Sequence, residues 1–521
     1  MKRIALLGCL AGFLFANSAV ADPPATEGFP FFRSFMDDNL DQIDFPLPHP
    51  SNVATATRSN SAALGTGTYQ DQGLVLTTGV SQVGAFYLPG HPFTTQDGML
   101  IEFEYAMIGP TNQLTDGITM FLVDADPAFI GSNMKFGAEG SGFGYTHRLA
   151  RSGTQLRADI SGIRGGYLAV ALDQGPFKTR RMEGEEMRSG IVYSNSGGLG
   201  EVGAGFDTRS NVTIRGAGGQ ESKKIDKWTV PEYHWGYPVL ISRETMGNSA
   251  GFKLNPSTGL FETQLQPTIS TPFNISGGAL FSNPGQAQYR KATIALEPNP
   301  DANGGGFKVT VTIQHGSEES VVIKDFTYTE TVTYIENGLP REIQADGFPI
   351  PYHNAPLATY TVETPEKLVV GFSGSTGYRT AYTNIIKNLR ITTLYGAEAN
   401  DDYVNHRRGP VTIKPLENDK GYKQSGTNPT ADKDNIDPMS LRLWIDEYNR
   451  LPDGQYEYEI ADKGKWVYDP NAAELMFFPK EGYKGEVSIM YDVKAKGPDY
   501  NDEKYRSSLA TVRVTIADNQ P

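Results

Sequence analysis

The sequence predicts an all-β protein of more than one domain, on three observations. Glycine and proline are abundant, 57 and 33 in 521 residues, which suits many strands joined by turns. Short β-prone apolar stretches recur about every ten positions, bounded by Gly, Pro, Asp or Asn. No long apolar pattern of helical period runs anywhere along the chain. The length exceeds one ordinary core, so two or three domains are expected.

The first residues read as a processing segment. Lys2 and Arg3 precede an apolar stretch from Ile4 to Phe15, and Ala19-Val20-Ala21 forms a small-x-small cleavage site. This predicts a secretory signal peptide over 1–21, and hence a secreted or cell-surface protein. Leu6-Leu7-Gly8-Cys9 is similar to a lipobox, but too few apolar residues precede it. Cys9 is the sole cysteine, so the processed chain has neither disulfides nor a thiol nucleophile. No later apolar run reaches the roughly 18 residues a membrane helix needs.

Residues 22–60 are polar and proline-rich, with short apolar pieces such as Phe29-Pro30-Phe31-Phe32. From Gly73 strand signals are dense. Leu74-Val75-Leu76, Gly84 to Leu88 and Met99 to Tyr105 read as strands, and Ile118 to Val123 and Tyr167 to Leu172 as buried ones. Residues 216–285 show few clear strands despite Trp228, Tyr233, Trp235 and Tyr237, and read as an irregular insertion. A second set follows at Lys291 to Leu296, Phe307 to Ile313, Lys367 to Phe372 and Asn388 to Thr393. Period-2 alternation in these segments predicts a sandwich. The composition shifts near Gly396, and Ala397 to Asp402 reads as a linker. Five further strand signals between Gly409 and Ile516 predict a separate sandwich over 397–521.

The net charge is −14 and the pI about 5.1. Such a surface repels phosphate backbones, so nucleic acid is not an expected partner.

Five segments, in order, resemble landmark strands of bacterial L-type (legume-lectin-like, concanavalin A-like) lectin domains. They are Asp116 to Leu122, Gly140 to Tyr145, Gly166 to Asp173, Leu368 to Gly377 and Asn384 to Ile391. The resemblance covers roughly residues 60–396 of a domain spanning 22–396. It implies a concanavalin A-like jelly-roll sandwich and a glycan or polysaccharide partner. It places Asp116 as the carboxylate on sugar hydroxyls, Gly142 and Gly144 as backbone donors, and Tyr145, Phe177 or Tyr378 as the aromatic platform. Charge-assisted bonds to a fixed carboxylate are the strong ones, and an aromatic face packs on a sugar's C–H side. For metals the chain departs from the family. Ala171 stands where a glutamate ligand is expected, so no transition metal is implied. Asp173 and Gln174, with Asp124 and Asp126 ending the neighbouring strand, are the residues through which calcium would be held.

Residues 397–521 resemble cadherin-like and Ig-like repeats of bacterial surface proteins. Val411-Thr412-Ile413-Lys414-Pro415-Leu416-Glu417-Asn418-Asp419 and Pro479 to Val487 carry that likeness. It implies a stalk or docking module, with Asp401, Asp402, Asn418 and Asp419 as calcium-type donors or loop caps.

The expectation is therefore an exported carbohydrate-binding protein, a surface or secreted adhesin and not an enzyme. Two alternatives stay open. One is a structural surface subunit without sugar binding. The other is a polysaccharide hydrolase, which would need two carboxylates across the scissile bond. Glu102 and Glu104 share one strand face, but no Glu-x-Asp-x-x-Glu string or His-Glu-x-x-His motif occurs.

Overall fold

A computed structural model of the chain describes residues 28–36, 57–58, 73–80, 82–109, 116–138, 142–152, 155–174, 210–247, 251–264, 269–277, 284–299, 305–336, 339, 356–376, 381–426 and 428–517. The 1–21 segment lies outside them. The chain divides into two compact units. The larger comprises Ala25–Gly396 with Asp499–Ser508, and the smaller comprises Ala397–Pro498 with Leu509–Pro521. The boundary expected at 397 would place 499–508 in the C-terminal domain. Its contacts belong to the larger unit, where Lys504 and Tyr505 both bond the Asp97 carboxylate, at 2.7 and 2.9 Å.

The fold class is all-β, and the larger unit is a sandwich of two antiparallel sheets. The back sheet runs Glu318–Tyr328, Phe307–His315, Arg290–Pro298, Met99–Ile108, Thr383–Thr392, Leu74–Thr77, Thr57–Arg58, with Phe31–Arg33 added on Thr383–Thr392. The front sheet runs Phe261–Gln264, Gly251–Leu254, Val239–Glu244, Asn211–Arg215, Gly166–Asp173, Gly117–Asp124, Lys367–Ser375, Val83–Tyr87, with Phe93–Thr94 added on Lys367–Ser375. Arg290–Pro298 and Phe307–His315 alternate buried and half-buried residues, as strands with one core face must.

Gly117–Asp124 and Gly166–Asp173 are instead buried on both faces, which explains their unbroken apolar sequence. Ile118, Met120 and Leu122 point between the sheets. Phe121, Val123, Ala169 and Ala171 point the other way, where Phe136, Phe143 and Tyr145 cover them.

Two expectations are corrected here. The core begins before residue 60, because Phe29, Phe31 and Phe35 are buried in it and Phe31–Arg33 pairs with Thr383–Thr392. The 216–285 stretch is also not irregular. Val239–Glu244, Gly251–Leu254 and Phe261–Gln264 extend the front sheet, and Lys223–Ile225 pairs with Trp228–Val230 in a hairpin. Trp235 and Tyr237 sit fully inside. Glycines admit them, since a Cβ on Gly219 would stand 2.0 Å from the Trp235 ring and one on Gly218 2.2 Å from Tyr237.

The smaller unit is also a two-sheet sandwich. One sheet runs Asp402–His406, Ala510–Ile516, Gly485–Ala495, Ile436–Asp446, Asn449–Arg450, with the first pair parallel. The other runs Val411–Ile413, Glu474–Pro479, Gly464–Asp469, Glu457–Ile460. Trp466, Phe477, Leu443, Ile489 and Val512 fill the space between. Ala397 and Ala399 belong to that core as well.

 Ala397 is 1% and Ala399 7% exposed, and Glu398 bridges to Lys420, so 397–402 is packed structure and not the exposed linker expected from its composition.

Candidate functional site

Register brings three strand ends together at one edge of the front sheet. Gly117 pairs with Asp173 on one side and with Ser375 on the other. Asp116, Gln174 and Ser375 therefore stand side by side. The Gln174 N–H donates to the Asp116 carbonyl at 3.1 Å, and the Ser375 hydroxyl donates to Asp116 Oδ2 at 2.8 Å. Asp116 is 4% and Gln174 3% exposed. The Gln174 Nε2 is buried without a hydrogen-bond partner, so an unused donor belongs to the residue whose backbone bonds Asp116. Gly117 is required there, because a Cβ would meet the Leu172 carbonyl oxygen at 2.0 Å.

The glycine-rich turn packs against this edge. A Cβ on Gly117 would also stand 3.2 Å from the Phe143 ring, and the Ser373 hydroxyl donates to the Phe143 carbonyl. Gly144 has φ +68°, a left-handed conformation suited to glycine. Its N–H is already committed, donating to the Ala138 carbonyl at 2.8 Å, so Gly144 is not a donor for a sugar. The Gly142 carbonyl accepts from Tyr145 and Thr146, which makes Gly142 part of the turn's own framework. Tyr145 is fully buried, its hydroxyl donates to the Gly216 carbonyl at 3.0 Å, and its ring meets Tyr237 edge-on. It is core and offers no platform. Phe177 and Tyr378 lie outside the described residues.

Asp173 is likewise a core group. It is fully buried, and its Oδ2 accepts from the Thr213 hydroxyl at 3.2 Å. Buried Arg215 lies within its field. Burial pushes the Arg215 guanidinium down to about 9, and Asp173 works in the opposite direction. Thr213 and Arg215 escaped the sequence reading. Their signal was the alternation Asn211-Val212-Thr213-Ile214-Arg215, with Val212 and Ile214 turned to the inter-sheet core.

The metal set drawn from sequence does not assemble. Asp124 ends the strand that Asp116 precedes, and it pairs with Leu368 while Gly117 pairs with Ser375. Eight residues of strand separate the two ends by roughly 23 Å. Asp124 and Asp126 therefore cannot share an ion with Asp173 and Gln174. Instead they cap a turn, with Asp124 accepting from the Asp126 N–H at 3.0 Å and Asp126 from the Ala128 N–H at 2.7 Å. Among the described residues no group of three or more His, Cys, Asp or Glu is placed to hold a metal.

Glu102 and Glu104 lie on the back sheet and are held by lysines, Lys291 at 2.8 Å and Lys387 at 3.2 Å. Burial works to raise the Glu102 carboxyl, but Lys291, Arg390 and Thr293 outweigh it and hold it below its ordinary value. A glycosidase acid requires the opposite shift.

In the smaller unit the acidic residues cap its first strand. The Thr511 N–H donates to Asp401 at 2.8 Å, the Asn400 N–H and Tyr491 hydroxyl donate to Asp419 at 2.7 and 2.8 Å, and Asn418 Nδ2 donates to Asp402 Oδ1 at 3.1 Å. Asp402 Oδ2 is left buried without a partner. Burial, followed by Asp401 and Glu417, pushes the Asp402 carboxyl up to about 7. Burial pushes Asp419 up to about 8, against the bonds from Asn400 and Tyr491 and with help from Asp402 and Asp401.

No family profile matches this sequence, and no curated protein matches it. Solved structures similar to it include lectins. Lectin I-B4 from Griffonia simplicifolia, in metal-free form, is 14% identical, with 70% of this chain and 98% of that one covered at a TM-score of 0.30. The Lotus tetragonolobus seed lectin is 12% identical, with 70% and 97% covered at a TM-score of 0.30. The VIP36 exoplasmic/lumenal domain, in a Ca2+/Man3GlcNAc-bound form, is 11% identical, with 62% and 79% covered at a TM-score of 0.25. At these values the likeness carries no inference about function.

Proposed function

We propose that the larger unit binds carbohydrate at the front-sheet edge formed by Asp116, Gln174 and Ser375. The observation that carries this reading is the unpartnered Gln174 Nε2, on the residue whose backbone N–H bonds Asp116, together with the Asp116 carboxylate held by Ser375. A sugar hydroxyl is both donor and acceptor, so neighbouring hydroxyls engage such a pair together. The binding needs no metal in this reading, because the Asp173 carboxylate is occupied by Thr213 and lies in the field of Arg215. The chain is an exported, non-enzymatic surface or secreted adhesin, and the smaller sandwich is an Ig-like stalk or docking module. The signal-peptide pattern of 1–21 supports export. No helix among the described residues is long and apolar enough to cross a membrane.

A glycan array with wild type and Asp116→Ala, with and without EDTA, tests this reading. Wild type should bind, EDTA should change nothing, and the variant should bind about tenfold or more weakly. A wild type that binds no glycan would favour the structural-subunit reading, which the near-complete burial of Asp116 supports.

A further inference from the structure

The smaller unit holds a cleft of about 540 Å³ that the reading above does not use. Its size lies in the range of small-molecule sites. Lys414, Lys433 and Lys496 line it, against the two carboxylates Glu417 and Asp434. Cations thus outnumber anions locally, in a chain where Asp and Glu outnumber Lys and Arg by 60 to 46.

The three ammonium groups are not equivalent. Lys496 Nζ donates to the Asp434 carbonyl at 2.9 Å, which anchors one cation at the cleft. Lys414 stands 3.5 Å from Glu417, both well exposed. Lys433 has no ion pair or side-chain hydrogen bond among the described residues, although its backbone is fixed. It opens the short 3-10 turn Lys433–Asn435, which the Asp432 side chain caps by accepting from the Asp434 N–H at 2.9 Å. The remaining lining is apolar. Ile436 is buried, and Leu416 and Pro438 are half-buried.

A cationic cleft with an apolar wall and two carboxylates calls for a ligand with three properties. It must carry an anion, present a C–H face, and offer hydroxyl donors to Glu417 and Asp434. Inorganic phosphate lacks the second, and a neutral sugar lacks the first. We propose that this cleft binds a uronic acid unit of an acidic polysaccharide. The carboxylate sits at Lys433 and Lys496, and the ring packs on Leu416 and Pro438. This site belongs to the smaller unit and is independent of Asp116.

Titration calorimetry of the full chain carrying Asp116→Ala, which weakens the larger unit's proposed site, with digalacturonate, a neutral digalactoside and inorganic phosphate, each at low and high salt, tests the proposal. Digalacturonate should bind, more weakly at high salt because the contacts are ionic, and more tightly than either comparison ligand. The double variant Lys433→Ala/Lys496→Ala should weaken it by at least about tenfold. Both side chains are exposed, so its melting curve should match wild type. Should it not, Lys433→Glu alone must give the same loss. Equal binding of the neutral digalactoside, phosphate binding as tight as digalacturonate, or undiminished affinity in the variants would overturn the assignment. The array with Asp116→Ala reads the other site, so each result stands without the other.

Discussion

Asp116 and Asp173 lie at adjoining ends of neighbouring strands, yet their surroundings give them different roles. Asp116 accepts from Ser375 and its backbone carbonyl from Gln174, whose Nε2 has no partner, so its removal should reduce sugar affinity while the fold persists. Asp173 is buried with Thr213 and in the field of Arg215. Its removal takes a carboxylate out of the buried guanidinium's field and leaves the Thr213 hydroxyl without this acceptor, and a buried charge stripped of compensation is destabilising. Asp173→Ala should therefore lower unfolding free energy by several kcal/mol, read by urea denaturation. A variant that unfolds at the wild-type midpoint would return Asp173 to the list of dispensable strand-end residues. Residue type alone did not separate the two, because both are acids at the end of an apolar run.

Elements were legible wherever the apolar pattern was long. Gly117–Asp124, Gly166–Asp173 and Arg290–Pro298 each begin or end within a few residues of the apolar stretches that announce them. Between Gly216 and Gly285 the pattern failed. Its strands are three to six residues long, and its large aromatics are buried through close glycine contacts that have no sequence period. Gly219 shows how tight these contacts are. The Trp235 ring that a Cβ would strike is itself 2% exposed and has no room to withdraw. Gly219→Ala should destabilise the larger unit by about 1–3 kcal/mol, as overpacking does. Thermal unfolding measures it, and an unchanged melting temperature would show that the ring is free to move.

At the scale of the molecule the two units should respond to pH in opposite directions. In the larger unit, burial holds His147 well below its ordinary value and, with Arg33, brings His91 down to about 4. A histidine with a lowered folded pKa contributes stability above its unfolded value of about 6.5, and loses it as pH falls below that. In the smaller unit, Asp402 and Asp419 are raised to about 7 and about 8. The stability this contributes is fully present below the unfolded carboxyl value of about 4 and is lost as pH rises through 7 and 8. Calorimetry between about pH 5 and 9 should show one transition rising and the other falling. Asp402→Asn, which removes one of the two coupled acids, should flatten the falling one. Two transitions that move together would contradict this assignment.

The sequence by itself determined that this protein is all-β, because alternation, turn residues and the lack of helical period are local properties that survive without knowledge of contacts. It also placed Asp116 at the start of a strand and Gly140 to Tyr145 in a glycine-rich loop. Only the tertiary structure decided which of these groups face one another. Antiparallel register carried Asp124 and Asp126 to the far end from Asp173, and packing sent Tyr145 into the core. It also enclosed Ala397 and Ala399, whose small and polar neighbours read as a linker. The physical reason is common to all three. Side-chain exposure and charge pairing depend on residues distant in sequence, and a strand's pattern reports which face is apolar but not what will cover it.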